Sequence, residues 1–163
     1  MTTIVRAGSP EQIAAIRDLF TEYVQWLGIN LCYQDYPTEF AELPWKYAPP
    51  RGDLLLALVG GQAAGCVALK PIDQETAEFK RFYVRPAFRG RGVGRALGKA
   101  IVDVARRLGY RRLWLDTLPS MEAAVAVYIA LGFRPIAPWH HTPVKGTLFM
   151  ELDLRRSAEE GIS

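Results

Sequence analysis

Between Asp53 and Val84 the chain reads as three strands in direct succession, and this run restricts the available folds more than any other feature. Asp53–Val59 and Gln62–Lys70 flank Gly60-Gly61, a pair suited to the positive φ angles of a tight hairpin turn. Thr76–Val84 follows after a connection too short for a crossover helix, so it pairs antiparallel with its neighbour. The chain must therefore be built around an antiparallel sheet.

Helical signals surround that sheet. Thr2–Arg6 is a short β-branched strand, and Ser9-Pro10-Glu11-Gln12 reads as the helix start that follows. Ser9 caps, Pro10 sits where no N–H is needed, and Gln12 can reach back to complete a capping box. Ile13, Ile16, Leu19, Phe20, Tyr23, Val24 and Leu27 then recur at helical spacing until Gly28. Residues 29–50 form an aromatic, Pro-rich stretch with Tyr33, Tyr36, Phe40, Trp45 and Tyr47, and a short helix is expected over Pro37–Leu43. After Val84 comes a helix carrying Leu97, Ile101, Val104, Ala105 and Leu108, closed by Gly109. Leu113–Thr117 reads as a strand and Ser120–Leu131 as a helix stopped by Gly132. Phe133–Ile136 and Thr147–Leu154 are the last expected strands. The order βααβββαβαββ is that of an α/β domain on a mixed sheet, with one domain over 1–154 and a frayed polar tail over 155–163.

A length of 163 residues, half of them apolar, supports one such core. No apolar run approaches the roughly 20 residues of a membrane helix, and no secretory signal is visible at the N-terminus. Cys32 and Cys66, the only cysteines, form no CxxC pair and read as reduced thiols of a cytoplasmic protein. The net charge of +3 hides an uneven distribution: eleven Lys or Arg residues stand between Phe79 and Arg112 against the single acid Asp103. Such a segment suggests an anionic partner, either nucleic acid or a phosphorylated small molecule, or a solvated helix face. Aromatics do not interleave with the basic loop, and no helix-turn-helix or zinc spacing is present, so nucleic acid is set aside.

The centre of the basic segment is Val84-Arg85-Pro86-Ala87-Phe88-Arg89-Gly90-Arg91-Gly92-Val93-Gly94-Arg95, which joins a strand to a helix N-terminus. Unpaired N–H groups and the positive end of the helix dipole meet there, making the junction a natural anion site. Glycine at 90, 92 and 94 lets backbone close around phosphate oxygens, and Arg89, Arg91 and Arg95 can add charge-assisted bonds. A dinucleotide GxGxxG fails at Arg95 or Leu97, depending on where it starts. A Walker loop ending at Gly98-Lys99 fails at Val93 and Ala100.

The pattern Arg89-x-x-Gly92-x-Gly94, after the strand Glu78–Val84, resembles the coenzyme A loop of the GNAT superfamily of N-acetyltransferases. The Val84-Arg85-Pro86 approach, Leu115-Asp116-Thr117 and Tyr128-Ile129-Ala130-Leu131-Gly132-Phe133 also resemble successive blocks of that family, so the likeness spans about Ile4 to Leu154. It implies a mixed, mostly antiparallel sheet flanked by helices, with strands 4 and 5 splayed to admit pantetheine. It implies acetyl-CoA as co-substrate and no metal. Phe82, Tyr83 and Val84 would offer backbone groups to the pantetheine arm, and Arg89, Gly90, Arg91, Gly92, Val93, Gly94 and Arg95 would wrap the pyrophosphate. Tyr128 matches the family's general acid near the coenzyme sulfur, although its helical spacing with Ala124, Val127 and Leu131 alone reads as a core tyrosine. Where many relatives carry Asn, seven residues before that tyrosine, this chain has Met121.

Acyl transfer to an amine needs a base, because an alkylammonium has a pKa of about 10. Glu78 occupies a position similar to a glutamate base of some relatives; its other reading is a structural pair with Lys80. Strict alternation places Glu78 with Lys80, Phe82 and Val84 unless a bulge intervenes. Asp116 is a second candidate base, or a cap for the following turn. His140-His141 has no companion at metal-ligand spacing and reads as a loop at the acceptor mouth. The acidic, aromatic stretch around Asp35, Tyr36, Glu39 and Glu42 would either line an amine-binding cleft or pack as a lid. The expected activity is direct acetyl transfer to a small-molecule or peptide amine in a ternary complex, the alternative being a non-catalytic acyl-CoA-binding module on the same fold. Neither membrane nor nucleic acid is expected as a partner, and a homodimer is left open.

Overall fold

The computed structural model describes residues 1–29, 31 and 34–155. Its strands are β1 (Thr2–Arg6), β2 (Asp53–Val59), β3 (Gln62–Pro71), β4 (Thr76–Val84), β5 (Arg112–Thr117), β6 (Arg134–Pro135) and β7 (Leu148–Asp153). The helices are α1 (Pro10–Leu27), α2 (Tyr36–Ala41), α3 (Val93–Arg107) and α4 (Glu122–Leu131). The order is the expected βααβββαβαββ. All seven strands share one sheet, ordered β1-β2-β3-β4-β5-β7-β6, in which every neighbouring pair is antiparallel except β4 and β5.

Both faces of the sheet are covered, which explains why β2 is a continuous apolar run rather than an alternating one. Leu55 and Ala57 pack with Leu97, Ile101 and Ala105 of α3. Leu54 and Leu56 point the other way, to Ile16, Leu19 and Phe20 of α1. The α1 start has both halves of its capping box: Ser9 Oγ accepts from Gln12 N–H at 3.1 Å, and Gln12 Oε1 accepts from Ser9 N–H at 3.0 Å. Gly28 ends the helix in left-handed conformation, as its place after the last periodic residue suggests.

Several boundaries differ from the sequence reading. The second helix covers Tyr36–Ala41 rather than Pro37–Leu43, and a 3-10 turn at Trp45–Tyr47 follows it. The helix expected from Ser120 begins at Glu122, because Met121 N–H closes a turn onto the Leu118 carbonyl at 3.0 Å. Tyr33 and Cys32 lie outside the described residues, as does nearly all of the tail expected over 155–163.

The feature that matters most for function is where β4 leaves its neighbours. β4 pairs with β5 only through Thr76, Ala77 and Glu78, facing Arg112, Leu113 and Trp114. Beyond Glu78 the two strands separate, which is the expected splay. On its other side β4 carries a bulge: Lys80 faces Ala68 and Tyr83 faces Cys66, so Arg81 and Phe82 together oppose one residue. Arg81 adopts φ 56, rare for a side-chain-bearing residue. The extra residue breaks strict alternation. Phe82 therefore joins Phe79 in the core beneath α3, whereas Tyr83 packs with Cys66 and Ala68 on the α1 face. Glu78 does not share a face with Phe82 and Val84.

Candidate active site

Two cavities occupy the cleft between the splayed strands. The larger, about 470 Å³, runs from Phe82, Tyr83 and Val84 to the start of α3. One part of its wall is apolar, with Phe82, Val84, Phe88, Ala124 and Val127; the other carries Arg89, Gly90, Gly92, Gly94 and Arg95. The smaller, about 60 Å³, is lined among others by Glu78, Lys80, Asp116, Tyr128 and Thr147. Phe82 and Met121 line both cavities, so the two meet at those side chains.

The larger cavity fits a long ligand with an apolar arm and an anionic end. Gly92 caps α3 at φ 79 with no side chain over the helix end, which leaves the first-turn N–H groups without an intrahelical acceptor. Space is open where a Cβ would stand at Gly90 and Gly92. Gly94 differs, since its Cβ would lie 3.1 Å from the Phe82 ring. Arg85 is bound to Glu22 at 2.7 Å and is not available to a ligand. Arg89 folds over the mouth: Nε donates to the Val84 carbonyl at 3.0 Å, and the guanidinium lies 5.0 Å from the Trp26 ring centroid. Two residues expected at the loop are absent from the cavity wall. Val93 is buried in the core, because the first helical turn directs it beneath the sheet, and Arg91 lies over Phe88 instead.

The smaller cavity gathers ionisable groups in a poorly solvated place. The Glu78 side chain is 9% exposed, and its nearest cation, Lys80 Nζ, stands 4.0 Å from Oε2. Burial pushes the Glu78 carboxyl up from its ordinary range, with Lys80 opposing and the Asp116 charge adding to the rise. Burial likewise pushes Lys80 down, to about 8, against the pull of Glu78. Tyr128 is buried among Phe79, Phe82 and Phe133, with ring centroids 5.3 to 5.9 Å away. That burial holds its hydroxyl well above the ordinary tyrosine range, so it carries its proton at neutral pH.

Asp116 does not cap a turn. Its Oδ2 meets His140 Nε2 at 2.6 Å, while His140 Nδ1 faces the His141 carbonyl at 2.8 Å. The histidine pair thus reaches the cavity through Asp116 and does not line it. Among the described residues no group of three or more His, Cys, Asp or Glu side chains could hold a metal. The acidic stretch around α2 packs as a lid and gives no negatively charged cleft. Glu39 is fully buried, taking two bonds of 2.8 Å from Arg81, and Asp35 and Glu42 face solvent.

A family model described as "Acetyltransferase (GNAT) family" matches residues 13–133. This chain belongs to the GNAT acetyltransferase family. It is 36% identical over 149 residues to an uncharacterized N-acetyltransferase of Schizosaccharomyces pombe, covering 90% of this chain and 91% of that protein. It is also 35% identical over 159 residues to the IAA acetyltransferase of Azospirillum brasilense, covering 93% and 97%. Among solved structures, the PaiA N-acetyltransferase of Thermoplasma acidophilum in complex with coenzyme A superposes with TM-score 0.74 at 19% identity, over 94% of this chain and 99% of that one. This last likeness shows a common GNAT fold.

The sequence reading missed Trp26, Met121 and Val127 as cavity lining, and Lys80 in the second cavity. A Trp at an exposed helix position was a usable signal, since Trp26 stands outside the apolar stripe of α1 and is 47% exposed. Lys80 had no such signal, because its burial depends on tertiary packing around β4.

Proposed function

We propose that this GNAT protein transfers an acetyl group from acetyl-CoA directly to a primary amine bound in the smaller cavity. The observation that carries the reading is the junction of the two cavities at Phe82 and Met121. One side suits an apolar arm ending in phosphates, and the other holds a buried carboxyl and a buried phenol. Acetyl-CoA supplies the acetyl group as a thioester.

The chain's own residues do the rest. Arg89, Arg95 and the N-terminal turn of α3 hold the pyrophosphate, and Phe82, Val84 and Val127 line the arm. Free backbone groups of β4 beyond Glu78 orient it, since β5 no longer pairs there. Glu78 accepts a proton from the acceptor ammonium; its raised pKa makes it a better base than an exposed carboxylate. Tyr128 holds a proton for the departing thiolate. Burial disfavours that thiolate as well as a tyrosinate, which keeps donation useful despite the raised phenol pKa. The free, buried Cys66 thiol supports a reducing, cytoplasmic setting.

The test is release of free CoA thiol from acetyl-CoA across a set of amines, with the acetylated product identified by mass. Amine-dependent release is expected. Tight CoA binding with no release from any amine would make the protein a binding module.

A further inference from the structure

Lys80 is a largely buried cation whose Nζ meets no hydrogen-bond acceptor among the described residues. Its side chain is 8% exposed and lines the smaller cavity. Its one ion-pair partner among the described residues, Glu78, stands at 4.0 Å, beyond hydrogen-bond reach. The other charges nearby are engaged elsewhere. Arg81 is bound twice to Glu39, Asp116 is bound to His140, and Lys70 lies over the Trp45 ring at 5.5 Å. A largely desolvated ammonium with no acceptor in hydrogen-bond reach among the described residues is costly, and an anionic ligand in the cavity would supply one.

We infer that Lys80 determines acceptor specificity by taking a carboxylate of the substrate, so that the acetylated amine belongs to a compact amino acid. This rests on the transferase reading above. Glu78 and Lys80 lie side by side, so an amine at the first and a carboxylate at the second must be joined by a short spacer. The cavity volume of about 60 Å³ suits such a small acceptor. A phosphate is a poorer match, because the arginines that grip phosphates bidentately line the other cavity. Lys80 also explains how a negatively charged molecule could approach a cavity that already contains Glu78 and Asp116. Burial lowers its pKa to about 8, so it remains mostly protonated at neutral pH.

The experiment compares each acid with the amino alcohol of the same chain: glycine with ethanolamine, and β-alanine with 3-aminopropanol. The readout is the ratio of kcat/KM for acid over alcohol in wild type, Lys80→Met and Lys80→Arg, with folding checked by circular dichroism. The ratio matters because any effect of the substitution on Glu78 acts on both acceptors and cancels. Wild type should prefer the acids, and Lys80→Met should lower the ratio about 10- to 100-fold, the range for losing a hydrogen bond to a charged group. Lys80→Arg should retain most of it and serves as the test if the Met variant does not fold. Calorimetric titration of acid and alcohol into the CoA-loaded wild type gives a readout independent of turnover. Equal ratios in wild type and Lys80→Met, or tighter binding of the alcohols, would overturn the assignment while leaving the transferase reading intact. Lys80-dependent binding of acids with no turnover would do the reverse.

Discussion

The two cavities of this GNAT protein are built in opposite ways. The larger takes its anion-binding end from one contiguous segment, 89–95, and uses backbone N–H groups, glycines and solvent-facing arginines. The smaller takes Gln34, Glu78, Asp116, Tyr128 and Thr147 from five separate parts of the chain. Its properties come from burial rather than from residue type. A carboxyl, an ammonium and a phenol are all displaced from their ordinary pKa ranges there. The lesson is that a site made of loop backbone tolerates the rest of the protein, whereas a site made of buried side chains depends on all of it. The account assigns coenzyme affinity to the first and proton transfer to the second.

The largest expected effect falls on the smaller cavity alone. Tyr128→Phe should lower kcat by about 10²- to 10⁴-fold, the usual contribution of a general acid, with CoA affinity unchanged. The deficit should shrink toward pH 9, since a thiol with pKa of about 8.5 departs unaided as thiolate there. Glu78→Gln should remove the acidic limb of the pH profile. A carboxyl whose pKa is raised stays protonated to higher pH and then accepts no proton, so wild-type kcat/KM falls as pH drops through that value. A pH-independent loss in either variant would return that residue to a structural role.

The dependence of the smaller cavity on its surroundings predicts the next effect. Glu39→Ala leaves Arg81 charged and unpaired beneath the lid, which should cost about 3–5 kcal/mol in urea unfolding. It should also reduce activity, because Arg81 forms the bulge that turns Phe82 toward both cavities. In the larger cavity, Arg95→Ala should weaken CoA about 10- to 100-fold, as for one lost charged hydrogen bond, and lessen the salt dependence of binding. Gly92→Ala should be the mildest change. Its Cβ meets nothing within 4 Å, so the expected loss is about 1–2 kcal/mol of stability from left-handed backbone.

The same contrast explains what was legible in the sequence. The order of elements along the chain followed from periodicity, short connections and turn glycines, and the splay from the family likeness. The anion loop was readable because its chemistry is local. Glu78 and Tyr128 were reachable as candidates only through that likeness, since nothing in their spacing distinguishes them from core residues. Alternation alone left the face of Phe82 conditional on the absence of a bulge, and the bulge at Arg81 leaves no mark in composition. Lys80 was read only as a structural partner for Glu78, yet it is buried at the cavity while Arg91, in the same basic segment, stays outside. Glu39 was read only as part of a stretch that would line a cleft or pack as a lid, and packing across forty residues made it the partner of Arg81.

The most direct test of the division between the two cavities is calorimetric titration of CoA into wild type, Arg89→Ala with Arg95→Ala, and Tyr128→Phe. The account predicts a large loss of affinity in the arginine variant and a wild-type Kd in Tyr128→Phe. Equal weakening in both variants, or unchanged binding in the arginine variant, would contradict it.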